Sequence, residues 1–213
     1  MKKMIIISIV FFVQMTLFAQ TEYQQAMQAA LADFSKSQSM QEMTEAANQF
    51  ERIATVHEDE WLPLYYVGWI NSIQSFSTQD PGQRQKYIDN AQEKVEKAMK
   101  ITQQESELHT LQGMIYQAYI MIDPVSNGQA YTSKSNGSFQ TAIKLNPENP
   151  RPYYLQALNT LYMPVEYGGG KKAALPQLEQ AMKLFEHFSP KTPLHPDWGK
   201  DDCEREIIAA KQE

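Results

Sequence analysis

A single cysteine, Cys203, stands among the 213 residues of this chain, so no disulfide can form within it. A chain of this size must then be held by an apolar core rather than by crosslinks. Cys203 either pairs with another chain or is a small buried residue of a C-terminal helix; the second is expected. Basic residues are also scarce, 19 Lys and Arg against 25 Asp and Glu, and none of them cluster. That balance argues against nucleic acid as a partner. Alternating Val/Ile/Thr runs are missing, which removes the strand signal. Sequence motifs of catalysis are missing too: there is no Gly-x-Ser-x-Gly elbow, no Walker loop, no His-Glu-x-x-His and no Cys-x-x-Cys. The four histidines, His57, His109, His187 and His195, are scattered. No enzyme activity and no cofactor are expected on these grounds.

The first residues form a separate unit. Lys2 and Lys3 are followed by an almost wholly apolar run from Met4 to Ala19, interrupted by Gln14. Ala19-Gln20 then offers a small residue at a cut, followed by polar Thr21-Glu22. This is the layout of a secretory signal peptide, so residues 1–19 are expected to be removed and the chain to be periplasmic or secreted. The run has 16 residues, short for a membrane span of about 20. A retained anchor is the alternative, and Leu17 is larger than the residue preferred two places before a cut. No cysteine follows the run, which argues against a lipid anchor. The mature chain would keep 194 residues, with 17 basic against 25 acidic and a net charge of −8. No further segment is apolar enough to span a membrane.

Helical apolar spacing runs through the rest. Trp61, Leu64, Tyr65, Gly68 and Trp69 share one helix face, as do Leu108, Leu111, Ile115 and Tyr119. Nine helices are expected, at about 21–37, 40–57, 60–77, 83–102, 105–122, 128–145, 150–163, 171–188 and 199–212. Asp80-Pro81-Gly82 and Asp123-Pro124 read as breaks, Asn146-Pro147 as a separator, and Gly168-Gly169-Gly170 as a turn. Pro190, Pro193 and Pro196 imply an extended connector before the last helix.

A weak repeat runs in step with these helices. Phe50, Val95, Phe139 and Leu178 can be superposed, and a small residue stands 18 places after each of the first three: Gly68, Gly113 and Ala157. Ala98-Met99-Lys100-Ile101, Ala142-Ile143-Lys144-Leu145 and Ala181-Met182-Lys183-Leu184 nearly match. Such self-similarity means stacked helical hairpins, in which small residues let neighbouring helices approach. The steps between the four superposed residues are 45, 44 and 39. Because the 18-residue step is constant, the variation is expected inside each hairpin, at Ser77–Gln85, Asp123–Ser133 and Glu166–Lys172.

Gly113 with Tyr116, Ala46 with Phe50, Ala91 with Val95, Ala174 with Leu178, and the link Leu145-Asn146-Pro147-Glu148-Asn149-Pro150 resemble the tetratricopeptide-repeat (TPR) pattern. The resemblance covers most of residues 21–188. It implies an all-α, short right-handed α-solenoid of about four hairpins over residues 20–198, with 199–213 as a C-terminal capping helix. The period departs from the family's usual 34 or so, which implies an irregular array.

The resemblance also implies a concave face lined by the first helix of each repeat. Its inward positions would be Tyr65, Trp69, Thr110, Met114, Tyr154, Leu158 and Tyr162. The family's carboxylate-clamping Lys, Asn and Arg are absent there, so that activity is not carried over. The aromatic and apolar side chains there are either a binding surface or the filling of an irregular core. The leading expectation is an exported scaffold that binds a protein or peptide in the cell envelope. A small-ligand-binding subunit using the same apolar hollow is the alternative. Three further features are weaker. His187, His195, Asp197, Asp201 and Cys203 are metal-ligand types without the spacing of a zinc site, and no metal is expected. Gly168-Gly169-Gly170-Lys171-Lys172 is either a hairpin turn or an anion cradle, and the turn is favoured. Asn136-Gly137-Ser138 is a formal glycosylation acceptor, meaningful only in a eukaryotic secretory path.

Overall fold

The computed structural model describes residues 21–212; the expected leader, 1–19, and its cut lie outside the described residues. Among the described residues there is no strand. The helices are α1 (21–36), α2 (Met40–Val56), α3 (Trp61–Ser77), α4 (Pro81–Ile101), α5 (Ser106–Ile120), α6 (Pro124–Leu145), α7 (Pro150–Tyr162), α8 (Lys171–His187) and α9 (Lys200–Lys211). A short 3₁₀ turn, Val165–Tyr167, precedes α8.

The helix starts follow from local chemistry. Ser39 and Glu42 form a reciprocal capping box at α2. Three other starts combine an Asx cap with proline. The side chains of Asp80, Asp123 and Asn149 accept from the backbone N–H groups of Gln83, Ser126 and Arg151, and Pro81, Pro124 and Pro150 open the helices. Proline is at home in the first turn, where its missing N–H would have no partner. The Asp-Pro pairs are therefore starts as well as stops. This corrects two expected boundaries: α4 begins at residue 81, not 83, and α6 at 124, not 128.

It also relocates the surplus of the long repeats. The segments expected as inserts, Ser77–Gln85 and Asp123–Ser133, are largely helix. The extra length lies in α4 and α6, at 21 and 22 residues against 17 and 15 for their partners α3 and α5. Only the α7–α8 connection, 163–170, is a true insert.

Successive helices pack as hairpins, and α5 also touches both α3 and α7. The superposed residues Phe50, Val95, Phe139 and Leu178 are fully buried, as is Ala157. Gly113 sits under Phe139: a Cβ there would lie 2.2 Å from the ring. Gly68 faces Leu111 in the same way, less tightly, at 3.1 Å. The α9 helix packs on α8 through buried Cys203 and Ala210.

Candidate functional site: a strap across the inner face

The connector 188–199 does not take the short path from α8 to α9. It reaches back across the stack as a strap and lies on Trp61, Tyr65, Tyr66 and Trp69 of α3. The Trp198 indole stacks on Trp69, with centroids 5.4 Å apart, and its Nε1 donates to the Tyr65 hydroxyl at 2.8 Å. The Tyr66 hydroxyl donates to the Leu194 carbonyl at 2.8 Å. His195 lies edge-on to Trp61, and Lys191 pairs with Glu105 at 2.9 Å. At the far end, Gly199 lies against Phe185 and Tyr154.

One buried cation pins this strap. Arg151, at the start of α7, is fully buried. Its Nε donates to Glu107 at 3.1 Å, and its Nη2 donates to the Pro196 carbonyl. The rings of Phe188 and Trp198 cover the guanidinium at 4.6 and 5.6 Å, contacts that favour a cation held away from water. Asn149 donates to both Glu107 and Ser106 at 2.9 Å. Burial pushes the Glu107 carboxyl up, against the pull of Arg151 and Asn149. Nη1 of Arg151 has no hydrogen-bond partner.

Between the strap, the start of α5, the α6–α7 turn and the end of α8 lies a cleft of about 580 Å³. Its walls include Glu105, Glu107, Leu145, Leu184, Phe188 and His195. That volume is in the range of about 300–1,000 Å³ typical of small-molecule sites. A second hollow, between α2, α3 and α4, holds only about 220 Å³ and is lined mainly by polar groups such as Asn48, Asn71 and Asn90.

The seven positions expected to point inward fall into three groups by exposure. Tyr65, Thr110, Met114 and Tyr154 are buried, and Trp69 and Leu158 are half-buried. Tyr162 is 73% exposed. Tyr65 and Trp69 carry the strap, and Tyr154 touches its end. Tyr162 lies beside Glu206 of α9, which adds to burial in raising its hydroxyl pKa. Among the described residues, no three or more His, Cys, Asp or Glu side chains come together as a metal site. Cys203 instead donates to the Leu178 carbonyl at 3.4 Å. The glycine run is a tightly built turn: Gly168 and Gly170 have positive φ, and a Cβ on Gly169 would lie 2.1 Å from the Met163 carbonyl oxygen. No described helix is long and apolar enough to cross a membrane.

Sequence reasoning missed Glu107, Arg151 and Trp198. Glu107 reads as an ordinary acid of a first helical turn, and Arg151 as one charge between Pro150 and Pro152. The available signal was the extended Pro190–Pro196 segment, too long for a plain helix link and ending beside Trp198.

No protein-family model matches this chain, and no curated protein matches it. Solved structures do. The HusA haemophore from Porphyromonas gingivalis is 28% identical, with a TM-score of 0.78 over 89% of this chain and 92% of that one. A thermophilic TPR protein of Thermus thermophilus is 14% identical, with a TM-score of 0.57 over 92% of this chain and 94% of that one. The second likeness bears on the fold alone. Together they make the architecture that of a TPR-like helical repeat.

Proposed function

We propose that this TPR-like helical-repeat protein is an exported binding scaffold of the cell envelope, and that it holds a flat, largely apolar ligand of the porphyrin class in the cleft beneath the strap. The observation that carries this reading is the likeness to a haemophore over nearly the whole length of both chains. The cleft supports it with a suitable volume and with Leu145, Leu184 and Phe188 in its walls. Tyr65, Trp69 and Tyr154 serve this reading by fixing the strap. Thr110 and Met114 are buried on α5. Export rests on the leader at 1–19; intact Met1 in native cytoplasmic protein, seen by mass spectrometry, would remove that part.

The test is a titration of residues 20–213 with haemin and, separately, metal-free protoporphyrin, followed by absorbance and tryptophan fluorescence. Saturable one-to-one binding is expected, with fluorescence quenching, because Trp61 and Trp69 pack on the strap and Trp198 belongs to it. Binding that never saturates, or that persists in the denatured chain, would reject the reading. A second reading, a protein or peptide partner, is favoured by the open surface around Leu158 and Tyr162. A partner recovered by affinity purification from the native envelope, and lost with Tyr162→Ala, would establish it.

A further inference from the structure

The second hollow, between α2, α3 and α4, is lined by two buried amides that the repeat does not call for. Asn71 and Gln74 stand three and six places after Gly68. The same places after Gly113 hold Tyr116 and Tyr119, and after Ala157 they hold Thr160 and Met163. Stacking of the hairpins therefore does not itself demand amides there. Both are buried, at 5% and 1% exposure, and burying a polar group is unfavourable unless it is hydrogen-bonded. Their bonds hold the side chains in place. Asn71 Nδ2 donates to the Val67 carbonyl at 2.8 Å, and Asn71 Oδ1 accepts from Asn90 Nδ2 at 3.1 Å. Gln74 Nε2 donates to the Met40 carbonyl at 3.1 Å and to the Thr44 hydroxyl at 2.8 Å. Oε1 of Gln74 and Oδ1 of Asn90 accept from no group among the described residues, and both residues line the hollow. Asn48 and Gln83 add further amides, and Tyr87 adds a half-buried ring with a hydroxyl. The nearby charges form no acidic or basic cluster. Glu51 is paired with buried Lys94 at 2.6 Å, and Lys86 is exposed, where water and salt screen it.

We propose that this hollow is a binding site for a single neutral sugar ring. A carboxamide offers both a donor and an acceptor, as a hydroxyl does, so a ring of hydroxyls can satisfy several fixed amides at once. Tyr87 brings an apolar body with a polar tip, which suits the mixed C–H and hydroxyl surface of a sugar. The hollow holds about 220 Å³, below the roughly 300 Å³ at which sites for drug-sized ligands begin, which limits the occupant to one ring. The site is separate from the cleft beneath the strap and does not rest on the porphyrin reading.

The test titrates nitrogen-15-labelled residues 20–213 with D-glucose, D-galactose and N-acetyl-D-glucosamine in turn. At least one sugar should give saturable shifts of the side-chain amide signals of Asn48, Asn71, Gln74 and Asn90, without shifts in the strap at 188–199. Affinity for that sugar should fall about tenfold in Asn90→Ala and in Tyr87→Ala, the effect of losing one good contact in a binding site. It should stay unchanged in Gln140→Ala, an exposed amide of α6. Melting curves establish that each variant is folded, and Asn48→Ala, at an exposed position of α2, repeats the test should either of the first two fail to fold. Glucuronate and glucosamine, the charged relatives of glucose, should bind more weakly than the neutral sugar. The methyl glycoside of the sugar that binds separates the two sources of such a ring: retained binding assigns the end of a glycan chain, lost binding a free sugar. No saturable shift with any of the three sugars, tighter binding of a charged relative, or unchanged affinity in the folded variants would overturn the site, and none of these results bears on the porphyrin reading.

Discussion

Gly113→Ala is the sharpest probe of the packing, because two known effects oppose each other there. Replacing glycine by alanine inside an exposed helix stabilises by about 1 kcal/mol, since the unfolded chain loses freedom and the helix gains a side chain. In α5 the new Cβ would lie 2.2, 2.6 and 2.8 Å from three carbons of the Phe139 ring. Carbon atoms settle at about 3.5–4.0 Å, so the ring must retreat by more than 1 Å or so. Phe139 is fully buried and has nowhere open to go. Helices α5 and α6 must part or the ring must leave its rotamer, and overpacking of this kind costs about 1–3 kcal/mol. The net result should be destabilisation. Gly137, in α6, has no atom within 4 Å of its virtual Cβ, so Gly137→Ala should show the helix gain alone. Urea denaturation followed by far-UV circular dichroism gives both numbers. Gly113→Ala with Phe139→Leu should recover part of the loss, since residues in contact couple by about 0.5–3 kcal/mol. If Gly113→Ala matches Gly137→Ala in stability, the close crossing of α5 and α6 is refuted.

Glu107→Gln should destabilise by about 3–5 kcal/mol, because it strands the buried Arg151 charge; chemical denaturation measures it, and a neutral outcome would mean that the pair is not closed in solution. Gly169→Ala should lower the melting temperature more than Gly168→Ala. The first drives a Cβ into a backbone carbonyl, whereas the second meets only the left-handed backbone penalty of about 1–2 kcal/mol. The Cys203 thiol is pushed up to about 12 by burial and, less, by Glu206. Its thiolate is therefore nearly absent at pH 8, and alkylation of the native chain should be slow and should accelerate on unfolding.

Most of the architecture was legible because its signals are local and repeated. Apolar spacing located all the helices of the described chain, and the common phase of Phe50, Val95, Phe139 and Leu178 marked positions that are fully buried. The misplaced starts of α4 and α6 came from reading Asp-Pro only as a break. The same dipeptide supplies a cap and a first-turn proline. The glycine run reads from sequence as a hairpin turn, but that Gly169 is wedged against Met163 is a contact set by the fold of the insert and invisible in composition. The site was the least legible part. The strap joins residues more than 100 positions apart, as in the bond from Trp198 to Tyr65, and no local pattern encodes such a return. Tyr65 and Tyr154, expected as part of an open inner face, are buried supports beside it. Only Tyr162 of the seven is largely open.

The central claim, that a porphyrin-class ligand lies beneath the strap, is tested most directly by mapping the contacts in solution. Nitrogen-15-labelled residues 20–213 would be titrated with metal-free protoporphyrin, and amide shifts followed residue by residue. Ring-current shifts should concentrate in 104–107, 145–148 and 184–196, the walls of the cleft. Shifts centred instead on Leu158 and Tyr162, or no saturable shifts, would contradict the account.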